Sequence, residues 1–100
     1  MRIRFSEQDV VDACCVFLAR NHRRRPEDIQ VDLQVDSIRG FSAEARVGFR
    51  TVFMTEQDMI DGIALYLSEY HQFNPRELQI DLQYEENIGI EAEIEVAFGI

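Results

Sequence analysis

The chain repeats itself, and this repeat constrains the fold more than any other feature of the sequence. When the sequence is shifted by 49 residues, the segment 5–49 aligns with 54–98 without a gap. Identical residues run through the whole alignment, from Gln8 with Gln57 to Phe49 with Phe98. Two copies of one supersecondary unit that share a core produce such a pattern. We therefore predict a pseudo-twofold arrangement of the repeats 1–49 and 50–100.

Each repeat is predicted to fold as β-α-β-β. Alternating polar and apolar residues indicate strands, and apolar residues at helical spacing indicate helices. Ser6 and Thr55 are good N-cap residues, and the acids that follow them suit the positive end of a helix dipole. The predicted strands are 2–5, 29–35 and 41–49 in the first repeat and 51–54, 78–84 and 90–98 in the second, with helices near 6–22 and 55–71.

Two signals disagree where the repeats join. The alignment places Val52 and Met54 on the buried face of their strand. Strict alternation continued from Phe49, itself predicted to be buried, would bury Thr51 and Phe53 instead. We expect a bulge, a bend or a strand break at this junction to resolve the conflict.

A chain of 100 residues can build one hydrophobic core, so we predict a single domain covering residues 1–100. The predicted class is α+β. The two β-α-β-β repeats would form one antiparallel-rich sheet of five or six strands, with both helices packed on one face. The other face of this sheet would be polar and exposed.

The composition excludes some classes of partner. The formal net charge is -9, and all ten basic residues are arginines. A chain of this charge repels nucleic acid phosphates and anionic lipids, so neither nucleic acid nor membrane is predicted as a partner. No apolar stretch approaches the length of a membrane span. The adjacent Cys14 and Cys15 cannot form an unstrained disulfide, which favours reduced thiols and a cytoplasmic location.

Few residues are candidates for chemistry. His22 and His71 are equivalent and fall at predicted helix ends, where a histidine interacts favourably with the last carbonyl groups. Cys14 and Cys15 align with the aliphatic side chains of Ile63 and Ala64, which indicates core packing. The sequence contains no Ser/His/Asp arrangement, phosphate-binding loop or CxxC motif. We predict no catalytic residue, no metal ligand and no cofactor.

The predicted outer sheet face carries the most informative polar residues. Neighbouring like charges repel each other, a cost that Arg46 or a basic partner would relieve. We therefore predict a non-enzymatic interaction domain that forms a homodimer or binds a basic protein. The candidate binding residues are Gln30, Asp32, Gln34, Gln79, Asp81, Gln83, Glu91, Glu93 and Glu95, with Glu44 on the same face.

Two alternatives remain open. The outer apolar pair Val16 and Leu65 could be covered by the other helix or by a second subunit. The chain could also be a small-molecule or divalent-cation binding protein, or an enzyme, with its site at the seam between the repeats. A concave site holding Asp32, Asp81 or a histidine would favour that function.

Three segments resemble a known family. They are Ser6-Glu7-Gln8-Asp9-Val10-Val11, Pro26-Glu27-Asp28-Ile29 and Gly40-Phe41-Ser42-Ala43-Glu44. They are similar to the YxcD-like family of small uncharacterised bacterial proteins (domain of unknown function 2653), most clearly over residues 5–54. The resemblance implies a bacterial cytosolic protein. It assigns no activity to any residue.

Overall fold

The computed structural model describes residues 1–97. Within this range the predicted elements are confirmed, and a short 3₁₀ helix is added before the second strand of each repeat, at Pro26–Asp28 and Pro75–Glu77. Phe98, predicted to be buried, lies outside the described residues. The elements are β1 (Arg2–Phe5), α1 (Glu7–His22), β2 (Ile29–Asp36), β3 (Gly40–Val47), β4 (Arg50–Met54), α2 (Glu56–His71), β5 (Leu78–Glu85) and β6 (Gly89–Val96).

Both helices begin at the predicted caps. The Ser6 hydroxyl accepts a hydrogen bond from the Asp9 backbone N–H at 3.2 Å, and the Asp9 carboxylate accepts one from the Ser6 N–H at 2.9 Å. Thr55 and Asp58 make the same pair of bonds at 3.1 and 3.0 Å. These capping boxes satisfy backbone donors that the helices leave without partners.

The strands form two three-stranded antiparallel sheets, so the prediction of one sheet of five or six strands is wrong. Sheet I has the order β2-β3-β4, and sheet II has the order β1-β6-β5. No hydrogen-bonded ladder joins them within residues 1–97. The first strand of each repeat pairs with the last strand of the other repeat: β1 lies along β6, and β4 lies along β3. The two repeats have exchanged their first strands.

A tight hairpin at the junction causes this exchange. Val47 pairs with Arg50, so the chain reverses within the two residues Gly48 and Phe49. Gly48 has a φ of +62°, in the left-handed region that glycine adopts without strain. The expected strand break is confirmed. Phe49 lies at the hairpin tip and is fully exposed, so its predicted burial is wrong.

The repeat alignment, and not simple alternation, predicts which side of β4 is buried. Met54 is 2 % exposed, whereas Phe53 is 73 % exposed. The hairpin resets the alternation, because a strand that turns back on its neighbour must present its own apolar residues to the same core.

Each helix packs against both sheets and against the other helix. The helices approach closely at the equivalent residues Ala13 and Gly62, where a Cβ atom on Gly62 would lie 3.4 Å from the Ala13 carbonyl oxygen and 3.2 Å from Phe17 Cβ. Arg20 and Glu69, also equivalent, form an ion pair about two turns further along the helices. Because both contacts join equivalent residues, the two helices run side by side in the same direction. None of the helices in residues 1–97 is long and apolar enough to cross a membrane.

The second residue of the repeated Ser/Thr-Glu-Gln-Asp motif ties each helix to the other repeat. Glu7 Oε1 accepts a hydrogen bond from the Ile90 N–H at 3.3 Å, and Glu56 Oε1 accepts one from the Phe41 N–H at 3.4 Å. Gly89, with a φ of +106°, lets the carboxylate approach, since a Cβ there would lie 2.8 Å from Glu7 Oε1. Sequence reasoning missed this role.

Candidate functional site

The predicted binding residues do lie on outer sheet faces, but on two sheets instead of one. All of them are exposed except for Glu44, Glu91 and Glu93, which are half-buried. Gln30, Asp32, Gln34 and Glu44 belong to sheet I, and Gln79, Asp81, Gln83, Glu91, Glu93 and Glu95 belong to sheet II. The single acidic face predicted from the sequence is therefore divided.

The acids of sheet II are partly neutralised by β1. Arg2 Nε lies 3.1 Å from Glu93 Oε1, and Arg4 Nη2 lies 3.4 Å from Glu93 Oε2. Arg2 also reaches Glu95, at 3.3 Å. The side chains of both arginines are about two-thirds exposed, so each pair stabilises the fold by only about 0–1 kcal/mol. The sequence places these arginines on an outer face, but it does not show which acids they meet.

Sheet I lacks this neutralisation. Asp32 lies opposite Glu44 in the β2–β3 ladder, and Glu44 lies opposite Phe53 in the β3–β4 ladder. The equivalent row of sheet II consists of Asp81, Glu93 and Arg4. Phe53 thus occupies the position that an arginine holds in the other sheet. Neither Asp32 nor Glu44 makes an ion pair within the described part of the chain.

Arg46 lies beside this row without joining it. It faces Gln30 on one side and Thr51 on the other, two residues along β3 from Glu44. Together with the acids it borders a shallow depression of about 230 Å³. Within residues 1–97, the outer face of sheet I therefore presents a cation, Arg46, and a row of carboxylates that form no ion pair. The exposed Phe53 lies on the same face, and the exposed Phe49 lies at the β3–β4 hairpin tip.

A larger groove runs between α1 and β2, with a volume of about 710 Å³. Its apolar lining includes Val11, Cys15 and Val31. Tyr66 and Tyr70 of α2 border it, with their rings stacked at a centroid distance of 4.9 Å. The acids Asp12, Glu27 and Asp32, with Gln8 and Gln30, form its polar lining. The groove therefore brings two predicted site residues, Gln30 and Asp32, together with tyrosines of the other repeat.

The two cysteines are free and buried, as predicted. Burial raises the pKa of the Cys14 thiol to about 12, and the neighbouring Cys15 adds to the effect. Burial also raises the pKa of Cys15, helped by the negative charge of Asp12. The Cys15 thiol donates a hydrogen bond to the Ile29 carbonyl oxygen at 3.6 Å. Because the thiolate is the reactive form, neither residue is suited to nucleophilic chemistry.

The other sequence candidates occupy structural positions. His22 and His71 end α1 and α2, as expected. Among residues 1–97, no group of three or more His, Cys, Asp or Glu residues could hold a metal ion. Two arginines of the three that follow α1 also have structural roles: Arg23 forms the left-handed end of the helix, and Arg25 pairs with Asp28 at 3.4 Å. Val16 is half-buried and borders the groove.

Comparison with known proteins agrees with the resemblance noted in the sequence. The sequence profile of a family described as "Protein of unknown function (DUF2653)" matches residues 1–54 and again residues 49–99. The chain is similar to "Uncharacterized protein YxcD" of Bacillus subtilis (strain 168), with 39 % identity over 49 residues. This match covers 48 % of the chain and 48 % of the relative, so the chain spans about half the length of the curated relative it matches. No solved structure matches the chain.

Proposed function

We propose that this chain, which belongs to the DUF2653 family of proteins of unknown function, is a non-enzymatic interaction domain that self-associates through the outer face of sheet I. The observation that carries the proposal is the replacement of a paired arginine by Phe53. It leaves an exposed aromatic side chain beside the carboxylates of Asp32 and Glu44. A cytoplasmic location, predicted from the cysteines, is part of the proposal.

The charges on this face are complementary to themselves. In a twofold contact between identical chains, every contact occurs twice: if one residue of the first copy contacts a second residue of the partner, that second residue of the first copy contacts the first residue of the partner. A twofold axis passing near Ala45, between Glu44 and Arg46 on β3, would place Arg46 of each copy against Glu44 of the other. Asp32, opposite Glu44, would add a second carboxylate. The same contact could cover Phe53 at the sheet edge.

The expected association is weak. Burying a phenylalanine side chain contributes about 1.5–3 kcal/mol, so two copies of Phe53 contribute about 3–6 kcal/mol. Association itself costs about 4–15 kcal/mol in lost freedom of motion. Phe49 and the exchanged ion pairs must supply the remainder, and we expect a dissociation constant of about micromolar or weaker.

Sedimentation over a range of concentrations tests the proposal. The wild type should show a reversible dimer, and Phe53→Arg, which copies Arg4 of sheet II, should be monomeric with an unchanged melting temperature. Tyr84→Ser, at an exposed aromatic residue of sheet II, is the matched control and should still dimerise. A monomer at all concentrations for the wild type would overturn the proposal.

Charge reversal separates self-association from binding to a basic partner. Glu44→Arg and Arg46→Glu should each abolish the dimer, and the double variant should restore it, because the exchanged pairs re-form with opposite polarity. A basic partner would instead tolerate Arg46→Glu and lose binding to Glu44→Arg. If the protein is monomeric and shows this second pattern in pull-downs, its partner is a basic protein and not a second copy of the chain.

A second candidate function is small-molecule binding at the seam of the repeats. It is favoured by the groove beside β2, which is lined by Asp32 of the first repeat and by Tyr66 and Tyr70 of the second. A thermal-shift screen of cationic metabolites tests it. A ligand at about 100 times its dissociation constant should stabilise the fold by about 2.7 kcal/mol. A screen without stabilising compounds would remove this candidate.

A further inference from the structure

The outer edge of β2 pairs with no strand of the described residues. In sheet I, β2 pairs with β3 on one side only, and no strand of residues 1–97 pairs with its other side. A free edge offers main-chain donors and acceptors that an added strand can use. An exposed edge alone does not identify a partner. The direction of its backbone groups and the charges of the surrounding side chains do.

The backbone groups of this edge face the groove beside α1. The Ile29 carbonyl oxygen accepts a hydrogen bond from the Cys15 thiol of α1, and the Ile29 N–H donates to the Pro26 carbonyl oxygen. Ile29 therefore points its backbone groups away from β3. Since alternate residues of an antiparallel strand point their N–H and C=O groups to the same side, Val31 and Leu33 also present theirs to the free edge.

The groove is chemically complementary to a basic, extended ligand. It continues from the part that contains Ile29 to a second hollow of about 360 Å³ that includes Leu33. The side chains that line the two hollows include four acids but no arginine. The acids are Glu7, Asp12, Glu27 and Asp32. The Tyr70 side chain is 58 % exposed, and its ring suits a guanidinium group because guanidinium groups stack on aromatic rings.

We propose that this groove binds an extended protein segment with alternating arginine and apolar residues, which adds to sheet I as a strand alongside β2. Its backbone would pair with Val31 and Leu33, its apolar side chains would lie towards Val11, and its arginines would meet Asp12 and Asp32. The stretch 30–34, which contains the available groups of Val31 and Leu33, accommodates about five residues, since paired strands advance together at about 3.3 Å per residue.

The chain contains its own example of this pairing. Strand β1, with Arg2 and Arg4 alternating with Ile3 and Phe5, lies antiparallel to the acidic strand β6. Its arginines reach Glu93 and Glu95. A basic partner strand on β2 would repeat this charge complementarity. This groove shares Asp32 with the sheet I surface proposed for self-association, but Phe53, Glu44 and Arg46 of that surface do not line it.

A proline substitution tests the strand pairing directly. Leu33→Pro removes an N–H group that faces the free edge and leaves the ladder with β3 intact, and edge strands tolerate proline in this position. Leu82→Pro makes the equivalent change in β5 and is the matched control. The probe is a capped pentapeptide that alternates valine and arginine. Leu33→Pro should weaken its binding at least about tenfold, which corresponds to about 1.4 kcal/mol, and Leu82→Pro should not.

A charge variant tests the same site without a proline, so the test does not depend on whether the proline variants fold. Asp12→Arg lies on the exposed side of α1 and should weaken peptide binding, whereas the equivalent Asp61→Arg should leave it unchanged. The same peptide with glutamate in place of arginine should not bind. Binding of the arginine peptide should also fall at high salt, because exposed charges are screened.

Amide exchange measured by NMR identifies the binding mode. Peptide binding should slow the exchange of the Val31 and Leu33 amide protons in the wild type. Lack of peptide binding, equal loss in the two proline variants, or binding without protection of these amides would each overturn the inference. Arginine amide alone binding as tightly as the peptide would also overturn it and favour the small-molecule candidate. Because the variants Phe53→Arg and Leu33→Pro lie on different surfaces, failure of one proposal leaves the other testable.

Discussion

Arg20 of α1 and Glu69 of α2 occupy equivalent positions in the two repeats and form a two-pronged ion pair across the contact between the helices. If both repeats carried the same residue here, two like charges would face each other. The joined repeats have instead acquired opposite charges at a position that meets its own equivalent. At the pseudo-twofold axis, the tandem chain can therefore place two different residues against each other, which a dimer of identical repeats cannot do.

Reversing one member of this pair should destabilise the fold. We expect Glu69→Arg to lower the free energy of unfolding by about 0.5–1 kcal/mol, because the Arg20 side chain is 56 % exposed and solvent weakens its interactions. The double variant Arg20→Glu with Glu69→Arg should recover most of this loss in urea denaturation. A double variant as unstable as the sum of the single variants would contradict a pairwise contact.

The close approach of the helices at Gly62 predicts a low tolerance for larger side chains. Gly62→Val should lower the free energy of unfolding by about 1–3 kcal/mol, since it forces extra atoms against Phe17. Gly62→Ala should have a much smaller effect, because alanine gains about 1 kcal/mol of helix propensity over glycine. Thermal denaturation of the two variants measures the difference. Equal stability of Gly62→Val and wild type would show that the helices move apart at no cost.

The two capping boxes should contribute independently to the stability of the fold. Ser6→Ala and Thr55→Ala should each lower the free energy of unfolding by about 0.5–2 kcal/mol, since each leaves a backbone N–H of its helix without a partner. The two effects should add in the double variant, because the caps share no partner. Gln8→Ala, in the first turn of α1 but outside the capping box, is a control for which we expect a change of less than about 0.5 kcal/mol. Chemical denaturation of the wild type and the four variants checks the prediction.

Alkaline pH should destabilise the fold through Cys14. Its pKa is raised from the ordinary value of 9.0 to about 12 in the folded chain, so the folded state holds its proton where the unfolded state releases it. Stability that is fully present below pH 9 should therefore fall as the pH rises towards 12, by up to about 1.4 kcal/mol per pH unit from this residue.

The variant Cys14→Ala provides the control for this pH dependence. It should be less stable than wild type near neutral pH, because it leaves a cavity in the core, but its stability should fall less steeply above pH 9. Urea denaturation at several pH values gives both slopes. Identical slopes in the two proteins would show that Cys14 is not the titrating group.

Several features could be predicted because they depend on neighbours in the sequence. Ser6 caps α1 through a backbone N–H three residues away, and this contact lies within one helical turn. The outward direction of Asp32 follows from the alternation of a single strand. The buried side of β4 followed from comparison with the first repeat, although alternation from Phe49 pointed to the opposite side.

The partners of the outward residues could not be predicted. Both Glu44 and Glu93 lie on outer faces, as expected, but Glu93 meets Arg4 whereas Glu44 meets Phe53. These neighbours depend on which strand lies next to which. The groove beside β2 depends in the same way on the position of α1 and on tyrosines from the other repeat. No local pattern contains that information.

By itself, the sequence determined the two β-α-β-β repeats, their helix caps, their strand faces and the family, because each depends on short-range periodicity or on direct comparison of residues. Only the tertiary structure decided that the repeats exchange their first strands and form two sheets. Main-chain hydrogen bonds join any two strands alike, so pairing was decided by the tight turn at Gly48 and by the shared core. That exchange places Arg4 on β6 and Phe53 on β3, and it gives the two sheets their different surfaces.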